Sequence, residues 1–228
     1  MKIKFSFCNE CLEHCCFKDL KPKEKENINF EKICLSYKRG DIVYSQKHNG
    51  GGVYAIQKGV LKLYKTGLDG KEQIIRFAKA GDLIGFRSLL NEEPFCTSAR
   101  VLEDAILCYI PAKFFLNLRK NNSDFSMNLL KISCKELGDS NNFILDLSQK
   151  SLRARVAKIL VMLNNTFGLD TDNYIQIELT REEMANLVGT ATESVIRLLS
   201  DFKSDSLISI SGRRIAILNL DRLLKIAT

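Results

Sequence analysis

Between residues 180 and 202 apolar side chains recur at intervals of three and four, and they do so in two separate runs. Met184, Leu187 and Val188 mark one face of a first short helix, and Val195, Leu198, Leu199 and Phe202 mark one face of a second. Thr180 with Glu183 three residues later has the form of a capping box for the first helix. Gly189 ends it, where a residue free to take positive φ is useful. Thr192 is placed to cap the second. Two β-prone runs follow, residues 207–210 and 214–218, with Ser211, Gly212 and Arg213 as the turn between them. The pattern predicts a helix pair followed by a β-hairpin, a winged helix–turn–helix.

Upstream the period changes. From residue 30 to about 111 the chain reads as short β-prone segments (41–45, 53–57, 60–64, 73–77 and 105–110). Glycine punctuates them at Gly40, the run Gly50 to Gly52, Gly59, Gly70 and Gly81, and frequent short strands of this kind indicate a sandwich or barrel. The strands stop at Pro111. A short helix is expected over 113–118 and a long one from Ser123 or Asp124. On the long helix Leu129, Ile132, Glu136 or Leu137, Ser140, Ile144 and Leu147 follow a roughly heptad course. Such a stripe needs a partner, here both the β-domain and a second copy of the same helix. Residues 152–163 open the next helix, which Asn164 and Asn165 are expected to end. The fold class is therefore α+β, with four parts: a cysteine-rich arm over 1–29, a β-roll over 30–116, a dimerisation helix over 117–148, and a winged helix–turn–helix over 149–228.

Composition narrows the function. The 228 residues carry a formal net charge of +7, which suits a polyanionic partner without dictating one. No apolar run is long enough to span a bilayer, and the N-terminus lacks the form of a signal peptide, so a cytoplasmic location without membrane association is expected. Eight cysteines are many for such a chain. In a reducing compartment clustered thiols more often serve metal or redox chemistry than structural disulfides. Nothing supports an enzyme: His14 and His48 lie far apart in sequence, and there is neither a nucleophile–base signature nor a phosphate-cradling loop.

The second helix carries the chemistry. Glu193, Ser194 and Arg197 fall largely off its apolar face, and such a helix suits a DNA major groove. Arg can grip guanine bidentately and Glu can accept from the cytosine amino group. Their four-residue separation puts both on one face. The competing reading of that couple is an intrahelical salt bridge. Thr180, Arg181, Thr190, Thr192 and Arg213 complete the candidate DNA contacts, and Arg214 stands beside the wing turn as a further cation for phosphates.

This order of parts resembles the CRP/FNR family, the cyclic-AMP receptor protein and the fumarate–nitrate reduction regulator. The resemblance covers nearly the whole chain. It is sharpest in Gly81-Asp-Leu-Ile-Gly-Phe86, in Leu179-Thr-Arg-Glu-Glu-Met-Ala-Asn-Leu-Val-Gly189 and in Thr192-Glu-Ser-Val-Ile-Arg-Leu-Leu199. It implies a homodimeric transcription regulator on a pseudo-palindromic double-stranded DNA site, with RNA polymerase as a partner and an effector in or near the roll. Glu193 and Arg197 match the family's base-contacting pair. Thr192 stands where cyclic-AMP-type members carry a second arginine, so a different base preference is expected.

The effector is the open question. Cyclic-nucleotide binders follow the Gly-Asp-Leu-Ile-Gly motif with Glu, and here that position is Phe86. The phosphate-binding arginine would align near Phe95 or Cys96, and neither Arg87 nor Arg100 matches it, so no cyclic nucleotide is expected. The FNR-like branch carries an N-terminal cysteine cluster plus one distant cysteine in the roll. That implies a [4Fe-4S] cluster on Cys8, Cys11, Cys15 or Cys16, and Cys108. The spacing of the third thiol departs from that branch, and Cys108 also reads as a core residue of its strand. A zinc site using Cys8, Cys11, His14 and Cys15 or Cys16 is the chemical alternative. Cys34, Cys96 and Cys134 show no partner spacing and read as packing or surface residues. A regulator answering an unidentified small molecule in the roll, with no metal centre, is the alternative function.

Overall fold

The computed structural model describes residues 4–5 and 17–228. Its contacts divide the chain into two units, 1–66 with 74–138 and 67–73 with 139–228.

The first unit is a β-roll with helices. Among the described residues its sheet has seven strands: β1 (Lys4–Phe5), β2 (Ile33–Tyr37), β3 (Ile42–Tyr44), β4 (Gly52–Thr66), β5 (Glu72–Lys79), β6 (Leu83–Ile84) and β7 (Ser98–Pro111). The path runs β1-β2-β7-β4-β5, with β3 against β7 and β6 against β4. The paired strands whose registers are recorded run antiparallel. Among the described residues four helices belong here in whole or part: α1 (Pro22–Glu31), α2 (Phe86–Leu90), α3 (Ala112–Asn121) and the long α4 (Ser123–Gln149), inside which the division between units falls.

The glycine pattern misleads at one point. Lys58-Gly59 reads as a turn between two strands, yet it lies inside the single fifteen-residue β4. Gly59 takes φ +94°, and the β4–β7 register shifts around it. A Cβ there would come within 2.6 Å of the Ala105 Cβ, so this bulge admits only glycine. The central β7 is buried on both sides. Cys108 and Ile110 face a core with Phe17, Phe86, Phe115 and Phe125, while Ala105 and Leu107 face one with Tyr37, Tyr44, Leu61 and Phe95.

The stripe on α4 divides. Phe125 and Leu129 are buried and Ile132 packs against the same core. Met127, Leu130, Leu137 and Ile144 are each at least half exposed. Leu147, placed in the stripe with them, is also exposed.

The second unit holds α5 (Leu152–Phe167), α6 (Arg181–Val188), α7 (Thr192–Ser204), the hairpin β8 (Ile208–Ser211) and β9 (Arg214–Ile217), and α8 (Leu220–Ala227). Helix α5 runs through Asn164 and Asn165 and stops at Gly168, one turn later than expected, since two asparagines weaken a helix without breaking it. Its core gathers Val156, Leu160, Val188, Val195, Leu199, Phe202 and Leu223, all at most 1% exposed.

Candidate nucleic-acid interface and sensor site

The α6–α7 pair forms as its sequence dictates at the first end and differently at the second. Thr180 Oγ1 accepts the Glu183 N–H at 3.0 Å while Glu183 Oε2 accepts the Thr180 N–H at 2.9 Å, a complete capping box. Gly189 closes α6 in the left-handed region, at φ 75° and ψ 53°. Thr192, in contrast, is not the cap of α7. The cap is Ala191, which has no side-chain acceptor, and Thr192 is the first helical residue.

Burial then sorts the residues of α7. Val195, Leu199 and Phe202 are inside, and Glu193 and Arg197 are exposed on the opposite side. Among the described residues neither Glu193 nor Arg197 has an ion-pair partner, so the acid and the guanidinium do not neutralise each other. Thr192 and Ser194 are half-buried beside them. Thr190 lies half-buried in the turn, its N–H donating to the Ala185 carbonyl at 3.1 Å.

The wing is fixed on both sides of its turn. At its tip, Arg181 Nη2 donates to the Gly212 carbonyl at 2.9 Å, which ties the start of α6 to the turn that presents Arg213. Burial lowers the Arg181 pKa from its ordinary value, and the group stays charged. Arg213 is exposed at the turn. On the far side of the turn, Arg214 is not free to meet phosphates as expected. It donates to Asp170 at 2.6 Å and Asp172 at 3.2 Å and lies 4.1 Å from the Tyr174 ring centre. The Tyr174 N–H and the Arg214 guanidinium both help hold Asp170 below the usual carboxylate range. Sequence reasoning could not see this clamp, because Asp170 and Arg214 are far apart along the chain.

The roll offers a cyclic phosphate no matching cation. Phe86 is 2% exposed. Phe95 stacks on Tyr44 with ring centres 4.0 Å apart and lies against Gly50, where any Cβ would meet its ring at 2.5 Å. Arg87 points to the surface and Arg100 lies over the Tyr64 ring. Burial pushes the Tyr54 phenol, close to Tyr44 and Tyr109, up to about 12, so this aromatic cluster stays neutral. The residues present do not fit a cyclic nucleotide.

The cysteines need a correction. Cys34 has a partner after all: it sits opposite Cys108 in the β2–β7 ladder, and the two are disulfide-bonded. Strand register, not sequence spacing, brings them together across 74 positions. Cys108, a proposed cluster ligand, is therefore unavailable to a metal while that bond stands. Cys8, Cys11, His14, Cys15 and Cys16 lie outside the described residues. Cys96 is half-buried and Cys134 exposed, both as free thiols. Among the described residues no group of three or more metal-binding side chains comes together.

Comparison with known proteins agrees with this geometry. Residues 34–122 match the cyclic nucleotide-binding domain and residues 154–226 the Crp-like helix-turn-helix domain. The transcriptional activator protein Anr of Pseudomonas aeruginosa is 30% identical over 185 residues, covering 80% of this chain and 75% of that protein. The chain belongs to the CRP/FNR family of transcription regulators. The fumarate and nitrate reduction regulatory protein of Vibrio cholerae is 29% identical over 193 residues, covering 84% of this chain and 74% of that protein. The CRP-like cAMP-activated global transcriptional regulator of Mycobacterium tuberculosis is 27% identical over 191 residues, covering 83% of this chain and 85% of that protein. Among solved structures, FixK2 of Bradyrhizobium japonicum aligns with a TM-score of 0.77 at 22% identity, covering 86% of this chain and 98% of that one, a likeness of fold. Both FNR-named and cAMP-activated relatives match, so the effector of this regulator must be argued from its own residues. No helix among the described residues is long and apolar enough to cross a membrane.

Proposed function

We propose that this CRP/FNR regulator works as a cytoplasmic homodimer that reads a pseudo-palindromic DNA site with Glu193 and Arg197 of α7 and answers a redox or gas signal through its cysteines. The observation that carries the DNA part is the exposed, unpaired acid–guanidinium couple on a helix whose other face is buried. Thr180, Arg181, Thr190, Thr192, Ser194 and Arg213 are the further candidate DNA contacts, with Arg213 at the wing turn facing phosphates. RNA polymerase is the expected partner of the bound dimer.

The dimer follows from α4. Met127, Leu130, Cys134, Leu137, Asn141 and Ile144 fall on alternating steps of three and four and are all exposed. That is the a/d seam of a two-stranded coiled coil, with the exposed Asn141 as a polar residue at an a position that fixes register.

The redox part rests on the closely spaced thiols Cys8, Cys11, Cys15 and Cys16. A [4Fe-4S] cluster is the group such an arm would take, with Cys108 as a ligand only after its bond to Cys34 is reduced. The Cys34–Cys108 bond favours a second reading, a regulator without a metal centre that answers a small molecule in the roll. Anaerobic purification with iron, sulfide and thiol assays separates the two. A colourless, iron-free product that still binds DNA assigns the second. A gel shift against a palindromic promoter library tests the function itself, and no sequence-selective shift in any redox state ends it.

A further inference from the structure

The outward face of α7 is not wholly polar. Ile196 is 49% exposed, although Val195 and Leu199 on the same helix are at most 1% exposed. It follows Glu193 by three residues, so it lies beside that acid on the exposed side of the helix, about 100° round from Arg197. Its β-branched side chain has essentially one χ1 rotamer in a helix, so it presents a fixed apolar surface. Single exposed apolar residues are common on proteins. This one flanks Glu193, one of the two groups that would enter the groove.

We infer that Ile196 is a specificity-determining residue that packs against the C5-methyl group of a thymine in the major groove. That methyl is the only apolar group a base pair displays there, and an apolar side chain has no hydrogen bond to offer the other edges. The thymine lies in the same half-site as the bases met by Glu193 and Arg197 and next to them. Ile196 thus adds a shape-read position to two hydrogen-bonded ones. The inference rests on the DNA reading given above and names one element of its target.

Deoxyuridine differs from thymidine only by that methyl, so it isolates the contact. The full-length chain is first used to select its site from a random duplex library. Each thymine of the selected half-site is then replaced in turn by deoxyuridine, and binding is measured by fluorescence anisotropy. One position is expected to weaken binding by about threefold to fivefold per half-site, the worth of one buried methyl-sized group. Ile196→Ala is expected to bind the thymine and uracil duplexes equally. Wild-type protein indifferent to every replacement on a site it still selects overturns the inference and leaves the DNA reading intact. So does an Ile196→Ala protein that keeps the full thymine preference. Failure to select any duplex overturns the reading beneath it. Should Ile196→Ala not fold, the wild-type series decides alone, with Ile196→Val as the milder variant.

Discussion

The two units handle polar chemistry in opposite ways. In the second, Glu193 and Arg197 stand in solvent without partners, and nearby cations such as Arg214 are already neutralised by Asp170 and Asp172. In the first, Phe86 is buried beside Phe17 and Phe115, and Phe95 beside Tyr44 and Leu107; by the resemblance, cyclic-nucleotide binders carry charge at the first of these positions and at Phe95 or Cys96. Binding energy in the reading head is held ready on the surface, whereas that of the roll has gone into its own packing. On the proposed reading, DNA contact and signal reception thus depend on different residues in different cores.

Four experiments break or sharpen that contrast. Phe202→Ala empties a fully buried site of the second unit and should cost about 3–5 kcal/mol there. Calorimetry should show one transition moving and the roll's transition staying; equal loss in both would mean the units are not energetically separate. Reducing the Cys34–Cys108 bond, or replacing Cys34 by Ser, should do the converse. It frees a long loop in the unfolded roll and should lower that unit's stability by about 2–4 kcal/mol while the transition of the second unit stays in place. Arg197→Ala should leave both transitions in place and weaken specific binding by about 1–3 kcal/mol per half-site, read by anisotropy. A drop in melting temperature instead would show that Arg197 serves the fold.

The smallest effect is acidic. Asp170 is held below its unfolded pKa, so its contribution to stability is complete above about pH 4 and fades as pH falls through the folded value. Asp170→Asn should lose stability at neutral pH and show a flatter acid limb in melting temperature.

How much of this could be read from the sequence depended on how local the cause was. The capping box at Thr180 and the glycine stop at Gly189 are set by neighbours within a turn, and both form as the residues suggest. Glu193 and Arg197 were legible because helical period alone separates them from Val195 and Leu199. The misses come from longer range. Gly59 reads as a turn because glycine marks bulges and turns alike, and only the approach of Ala105 distinguishes them. Cys34 and Cys108 meet through strand register, and Arg214 is captured by aspartates from another loop. Ile196 was hidden for another reason: an apolar residue beside Val195 looks like core until its exposure is known.

The Arg214 clamp has a kinetic consequence. A hairpin pinned beside its turn, through Arg214 to Tyr174, Asp170 and Asp172, would arrive at a duplex already shaped. The freedom a loose hairpin would surrender on docking was surrendered when the chain folded. Severing the clamp should therefore shorten the lifetime of the complex more than it slows the encounter, since a mobile tip still finds the backbone but lets go of it sooner.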